Sequence, residues 1–145
     1  AGLRRLGLTP AGAVPLAPEE VLPAIGQGAL AIEARADDEA VHAHLRALND
    51  PPTAAAIAAE RAFLAAVGGD CQTPLAAHAT VTGMRLRLRA LVAEVDGTGA
   101  LADEVEGEAA AAAALGARLA AMLLARGAAD IIARARRVAS ASVPR

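Results

Sequence analysis

The chain has 145 residues, 55% of them hydrophobic, with a formal net charge of −2 and a single cysteine. That balance gives no basic signal for nucleic acid or a membrane surface, and one cysteine excludes an internal disulfide, which fits a reducing cytoplasm. No apolar run reaches the ~18 uncharged residues of a membrane span, and with Phe63 as the one aromatic the core must be built from Leu, Val, Ile and Ala.

The opening residues, Ala1-Gly2-Leu3-Arg4-Arg5, hold neither an initiator methionine nor a signal-peptide core. They are expected to belong to the middle of a longer protein. Residues 1–8 read as the last turns of a helix, in which Arg4 and Arg5 would complement the C-terminal dipole. Pro10, Pro15, Pro18 and Pro23 then mark an extended connector, because proline fixes φ and restrains its predecessor. The apolar residues after Gly28, through Ala34, read as a strand buried on both faces. Gly26 and Gly28 let the backbone bend before it; a Gly-x-Gly that precedes a strand argues against a dinucleotide fingerprint.

Asp37 or Asp38 is expected to cap a helix with Val41, Leu45 and Leu48 on one face. His44 would lie beside that face and His42 on the outer side, neither with a partner at metal-ligand spacing. Asn49-Asp50-Pro51-Pro52 stops this helix, and Thr53 is expected to cap the next. The second helix carries Ala56, Ala59, Phe63 and Ala66 on one stripe, with Glu60 and Arg61 on the other side. It ends at Val67. Gly68 and Gly69 follow, then Asp70-Cys71-Gln72-Thr73-Pro74. A thiol on a loop at the end of a helix can reach a ligand, so Cys71 is read as a covalent attachment point. A lone cysteine is more often an inert, buried small hydrophobe, and on the residues alone that alternative stays open.

After Pro74 the period changes to two. Residues 75–82 predict a strand, Gly83 a turn, and Arg85, Arg87 and Arg89 alternate with Leu86, Leu88 and Ala90 along a second strand running to Val95. Asp96-Gly97 signals a hairpin into an acidic third strand, residues 101–107. No aromatic interleaves the arginines to stack on bases, so they are expected to face Asp103, Glu104 or Glu106 across the hairpin. Leu115, Leu119, Met122, Leu123 and Arg126 predict a helix over 108–126 closed by Gly127. A short helix from Ala129 to about Arg137 follows, with Ile131, Ile132 and Ala135 inward and Arg134, Arg136 and Arg137 complementing its C-terminus. Ser140-Ala141-Ser142 reads as a frayed tail.

The fold class expected is α+β. A small three-stranded antiparallel sheet with helices on one face forms the C-terminal domain, preceded by a strand and helix that lack a partner sheet and so belong to an absent α/β domain.

Several stretches, in order and with matching spacing, resemble the C-terminal half of the porphobilinogen deaminase (hydroxymethylbilane synthase) family. They are Ala1–Leu8, Leu22-Pro23-Ala24-Ile25-Gly26-Gln27-Gly28-Ala29-Leu30, Asp37-Asp38, Leu48-Asn49-Asp50, Glu60-Arg61, Gly69-Asp70-Cys71-Gln72-Thr73-Pro74, Ala77-His78-Ala79 and Asp96-Gly97. The resemblance implies a three-domain cytoplasmic transferase of tetrapyrrole and heme biosynthesis, monomeric at full length. Residues 1–20 would end its second domain, 21–52 would supply a returning strand and helix of the first, 53–71 a linking helix and the cysteine loop, and 72–145 the third domain. The enzyme would condense four porphobilinogen units, with loss of ammonia, into linear hydroxymethylbilane.

By the same resemblance Cys71 would carry a dipyrromethane cofactor through a thioether. A soft sulfur suits the electrophilic methylene-pyrrolenine that porphobilinogen gives on losing ammonia. Pyrroles bearing acetate and propionate call for arginine forks, and Arg5 matches a cofactor- and substrate-binding arginine. Gln27 matches a residue lining the cofactor cleft. No metal is implied. The catalytic aspartate would lie in the missing N-terminal half, so Asp37, Asp38 and Asp70 are not assigned that role, and the 145-residue chain alone is expected to be inactive and free to self-associate. Asp70 departs from the family pattern, which places a small residue before the cysteine; a neighbouring carboxylate disfavours the thiolate. A non-catalytic α+β binding or regulatory module is the alternative.

Overall fold

The computed structural model describes the backbone of residues 2–8, 10–70 and 73–141, and the side chains of these except Arg4 and residues 139–141. Cys71, Gln72 and Ser142 lie outside the described residues.

The described chain is α+β. A short helix α1 (Gly2–Arg5) leads through turns and irregular backbone to α2 (Glu39–Leu45), which ends in a 3-10 turn, and to α3 (Pro51–Ala66). Three antiparallel strands follow, β1 (Leu75–Thr82), β2 (Arg85–Ala93) and β3 (Ala100–Glu108), then α4 (Ala112–Ala125) and α5 (Ala128–Ala141). The sheet order is β1-β2-β3. Alternation sets its two faces. Ala77, Ala79, Leu86, Leu88, Ala90, Val92 and Val105 are buried against the helices, in a register that aligns Ala79 with Leu88 and Leu88 with Val105. α3 packs on β1, α4 on β3, and the two helices on each other.

The opposite sheet face carries the expected charge ladder. Arg87 and Glu104 lie 2.6 Å apart, Arg85 and Glu106 3.7 Å, and Arg89 and Glu104 3.7 Å. Asp103 pairs instead with Arg126, at 3.0 Å. Arg126 therefore leaves the apolar stripe of α4, and Met122 is exposed as well; Ala112, Gly116 and Ala120 take their places beside Leu115, Leu119 and Leu123.

The expected strand after Gly28 does not form. Residues 29–34 belong to no helix or strand, and Leu30 is 97% exposed. A strand needs a neighbour to accept its hydrogen bonds, and among the described residues this segment joins no strand of the sheet. α2 does form, capped by Asp38, whose carboxylate accepts from Val41 N, but none of its residues is buried. His42, expected outward, is half-buried with Nε2 2.9 Å from the Arg35 carbonyl, while His44 is exposed.

Asp50, not Thr53, caps α3: its Oδ1 accepts from Thr53 N at 2.9 Å. Pro51 and Pro52 occupy the first helical positions, where a missing N–H costs nothing. The apolar stripe of α3 is also turned: Ala66 is exposed, and Glu60, expected outward, is 4% exposed. α5 runs on through Ser140 to Ala141, so its arginines are not at a helix end. Arg134 Nε donates to Glu94 at 3.0 Å, and Arg136 donates to the Gly68 carbonyl.

Candidate functional site

α3 leads directly into the cysteine loop. The helix closes on Val67, whose N–H bonds the Phe63 carbonyl at 3.0 Å. Gly68 follows with φ +67°, the left-handed step that ends a helix and that glycine takes without strain. At Gly69 a Cβ would stand 2.8 Å from Leu64 Cδ1 and 3.0 Å from Leu75 Cδ2, so the chain passes close over the top of the core here. The carbonyl of Gly68 is held by Arg136 of α5.

Asp70 and Thr73 close the loop across Cys71 and Gln72. Thr73 N donates to the Asp70 carbonyl at 3.1 Å, Asp70 N donates to Thr73 Oγ1 at 2.9 Å, and the Thr73 hydroxyl donates to Asp70 Oδ1 at 3.0 Å. The Asp70 carboxylate is thus engaged in closing the turn. Thr73 is buried, whereas Gly68 and Asp70 are exposed.

Gln27 stands in a double turn, Gln27 N to the Ala24 carbonyl at 3.0 Å and Ala29 N to the Gly26 carbonyl at 3.2 Å. Gly26 and Gly28 both have positive φ, +72° and +88°. The Gln27 side chain is exposed, and its Oε1 accepts from Ala24 N at 3.2 Å. A groove of about 700 Å³ opens between this turn and the outer side of α3, with Gly28, Leu30, Leu48, Ile57 and Arg61 among its walls. Arg5 is exposed on α1, whose described hydrogen bonds are local.

One carboxylate joins two of these parts. Glu60 Oε2 accepts from Gly26 N at 2.7 Å, and Glu60 Oε1 from Ala79 N at 2.8 Å. Two backbone donors satisfy a charge that burial would otherwise penalise. β1 is an edge strand, so the Ala79 bond also covers one amide of an open sheet edge. The signal was in the spacing: Ala56, Glu60, Phe63 and Val67 fall at i, i+4, i+7 and i+11, which places an acid on the apolar stripe.

Two family models match. Residues 1–43 match "Porphobilinogen deaminase, dipyromethane cofactor binding domain", and residues 54–125 match "Porphobilinogen deaminase, C-terminal domain". The chain belongs to the porphobilinogen deaminase family. Relatives named porphobilinogen deaminase include one from Ralstonia nicotianae, 52% identical over 137 residues, which spans 92% of this chain and 41% of that protein. One from Thiobacillus denitrificans is 48% identical over 91% of this chain and 43% of its own length. One from Nitrobacter winogradskyi is 48% identical over 81% and 37%. The chain thus spans about two-fifths of the length of these relatives. The family model carries the dipyrromethane cofactor in its description, and the described residues suit it in kind: Asp70, next to Cys71, is exposed, and Arg5 is an exposed cation of the type that pairs carboxylates.

Proposed function

We propose that this chain is part of a cytoplasmic transferase that condenses four porphobilinogen units, with loss of ammonia, into hydroxymethylbilane. The observation that carries the reading is the pair of family matches, one to the cofactor-binding domain and one, containing Cys71, to the C-terminal domain.

In this reading the Cys71 sulfur forms a thioether to dipyrromethane, a bond that resists hydrolysis. The bound group supplies the primer on which chain growth begins. Arg5 pairs acetate and propionate groups through its planar fork, and Gln27 lines the cleft that holds them. The loop needs its closing contacts: Arg136 fixes the carbonyl before it, and Asp70 with Thr73 ties its two ends. The catalytic aspartate is assigned to the part of the relatives' length that this chain does not span. Asp38 and Asp70 are occupied as a helix cap and a loop tie, which supports leaving them out. The four-part division of the chain, at residues 20, 52 and 71, belongs to the same proposal.

The test is porphobilinogen consumption by the full-length protein and by the 145-residue chain alone. Turnover by the first and none by the second is expected. An inactive full-length protein would favour the non-catalytic module, and turnover by the isolated chain would show that the missing part is not needed.

A further inference from the structure

Glu60 is 4% exposed, and its two carboxylate oxygens reach two segments far apart in sequence, the Gly26 turn and strand β1. Among the described residues the turn's other hydrogen bonds are internal to it. A Cβ added at Gly26 or at Gly28 would meet nothing within 4 Å, and both residues have the positive φ of a free glycine hinge. Gln27 and Leu30 are exposed on either side of Gly28. Ile25 is partly buried against the core, and the Gly26–Glu60 bond, only 2.7 Å long, is the polar anchor next to it. A hydrogen bond donated by a backbone N–H to a carboxylate is about twice as strong as a neutral one. Glu60 lies on α3, the same helix that leads into Gly68, Gly69 and the cysteine loop.

We propose that Glu60 is a positioning residue: by holding Gly26 N and Ala79 N together, it fixes the Gln27 turn against the helix and sheet that carry the Cys71 loop. It acts through the turn and touches no substrate. Its consequence for turnover rests on the function proposed above; its hold on the turn does not.

A simpler role for Glu60 would be to satisfy the β1 edge alone, and the two roles part in a measurement. The full-length protein is prepared as wild type, Glu60→Gln and Glu60→Met. Three readouts follow: amide hydrogen exchange, intact mass for dipyrromethane loading, and porphobilinogen turnover per loaded site. For Glu60→Met the Gly26 amide should exchange at least tenfold faster, while Leu88 and Val105 in the sheet keep their protection. Loading should persist, and turnover per loaded site should fall about tenfold or more, since misplacement of about 1 Å can cost up to a hundredfold. Glu60→Gln, which keeps one acceptor, should fall between the two, and it carries the test if Glu60→Met does not fold. Unchanged Gly26 exchange in Glu60→Gln and Glu60→Met overturns the proposal. A freed turn with wild-type turnover per loaded site overturns the positioning role. A wild type that neither loads nor turns over refutes the functional reading, and the Gly26 exchange still decides whether Glu60 holds the turn.

Discussion

Gly116 of α4 lies against Ala59 of α3 so closely that a Cβ built on it would stand 2.2 Å from the Ala59 carbonyl oxygen and 2.8 Å from Phe63 N. Both obstacles are backbone and cannot swing aside. Gly116→Ala should therefore separate the two helices that cover the sheet. Overpacking costs about 1–3 kcal/mol, against a gain of up to about 1 kcal/mol in helix propensity, so a net loss is expected. Urea unfolding measures it; a midpoint equal to or above the wild type would show that the helices do not cross this closely.

Phe63 is fully buried in a core otherwise made of aliphatic side chains, and Met122 is 36% exposed although helical spacing groups it with the core. Phe63→Ala should cost about 3–5 kcal/mol. Met122→Ala should stay within about 0.5 kcal/mol of wild type, as surface substitutions do. Equal losses in denaturant titrations of the two variants would contradict the assigned faces of α3 and α4.

The Asp50 cap gives stability a pH dependence. Hydrogen bonds from Thr53, the side-chain one first and the backbone one second, hold the Asp50 carboxyl below its ordinary value. A depressed folded value means that the stabilisation is complete above the unfolded pKa, near pH 4, and is lost as pH falls through the lower folded value. Asp50→Asn can cap without a charge and should lose this part of the acid sensitivity. Melting temperatures of the two proteins from pH 7 down to pH 2 are the check, and parallel curves would remove Asp50 from the account.

The ladder on the outer sheet face should respond to salt. Arg87 and Glu104 are 2.6 Å apart with their side chains 48% and 45% exposed. Exposed pairs are screened by ions. A double-mutant cycle of Arg87→Ala and Glu104→Ala should show a favourable coupling at low ionic strength that shrinks toward zero at 1 M salt. A coupling that does not change with salt would mean the pair is shielded from solvent.

The sheet was legible because its code is local. Arg85, Arg87 and Arg89 alternate with apolar residues, and Gly83 and Asp96-Gly97 sit where the chain reverses, so all three strands could be read to within about two residues at each end. The helices were legible in place and less so in rotation. Alanine fits either face of a helix, so the stripes of α3 and α4 gave weak bearings, and Glu60 and Met122 were assigned to the wrong sides. The segment after Gly28 has strand-like residues but no neighbour in this chain to pair with, and pairing is not written in the segment itself. Of the site, the Gly68 helix stop and the glycine turn around Gln27 could be read locally. The Asp70–Thr73 tie is local, three residues apart, and Asp and Thr are turn formers, but nothing in the residues alone showed that they pair with each other. The Arg136–Gly68 contact and the Glu60 bridge join residues through the folded structure, and of these only Glu60 left a trace in the spacing.

The most direct measurement is the intact mass of the full-length protein, wild type and Cys71→Ser, after incubation with porphobilinogen. The account predicts a wild type heavier by a two-ring dipyrromethane, unchanged by acid or denaturant, and a Cys71→Ser protein without it. An unmodified wild type, or a Cys71→Ser variant carrying the same added mass, would contradict the assignment of Cys71 as the attachment point.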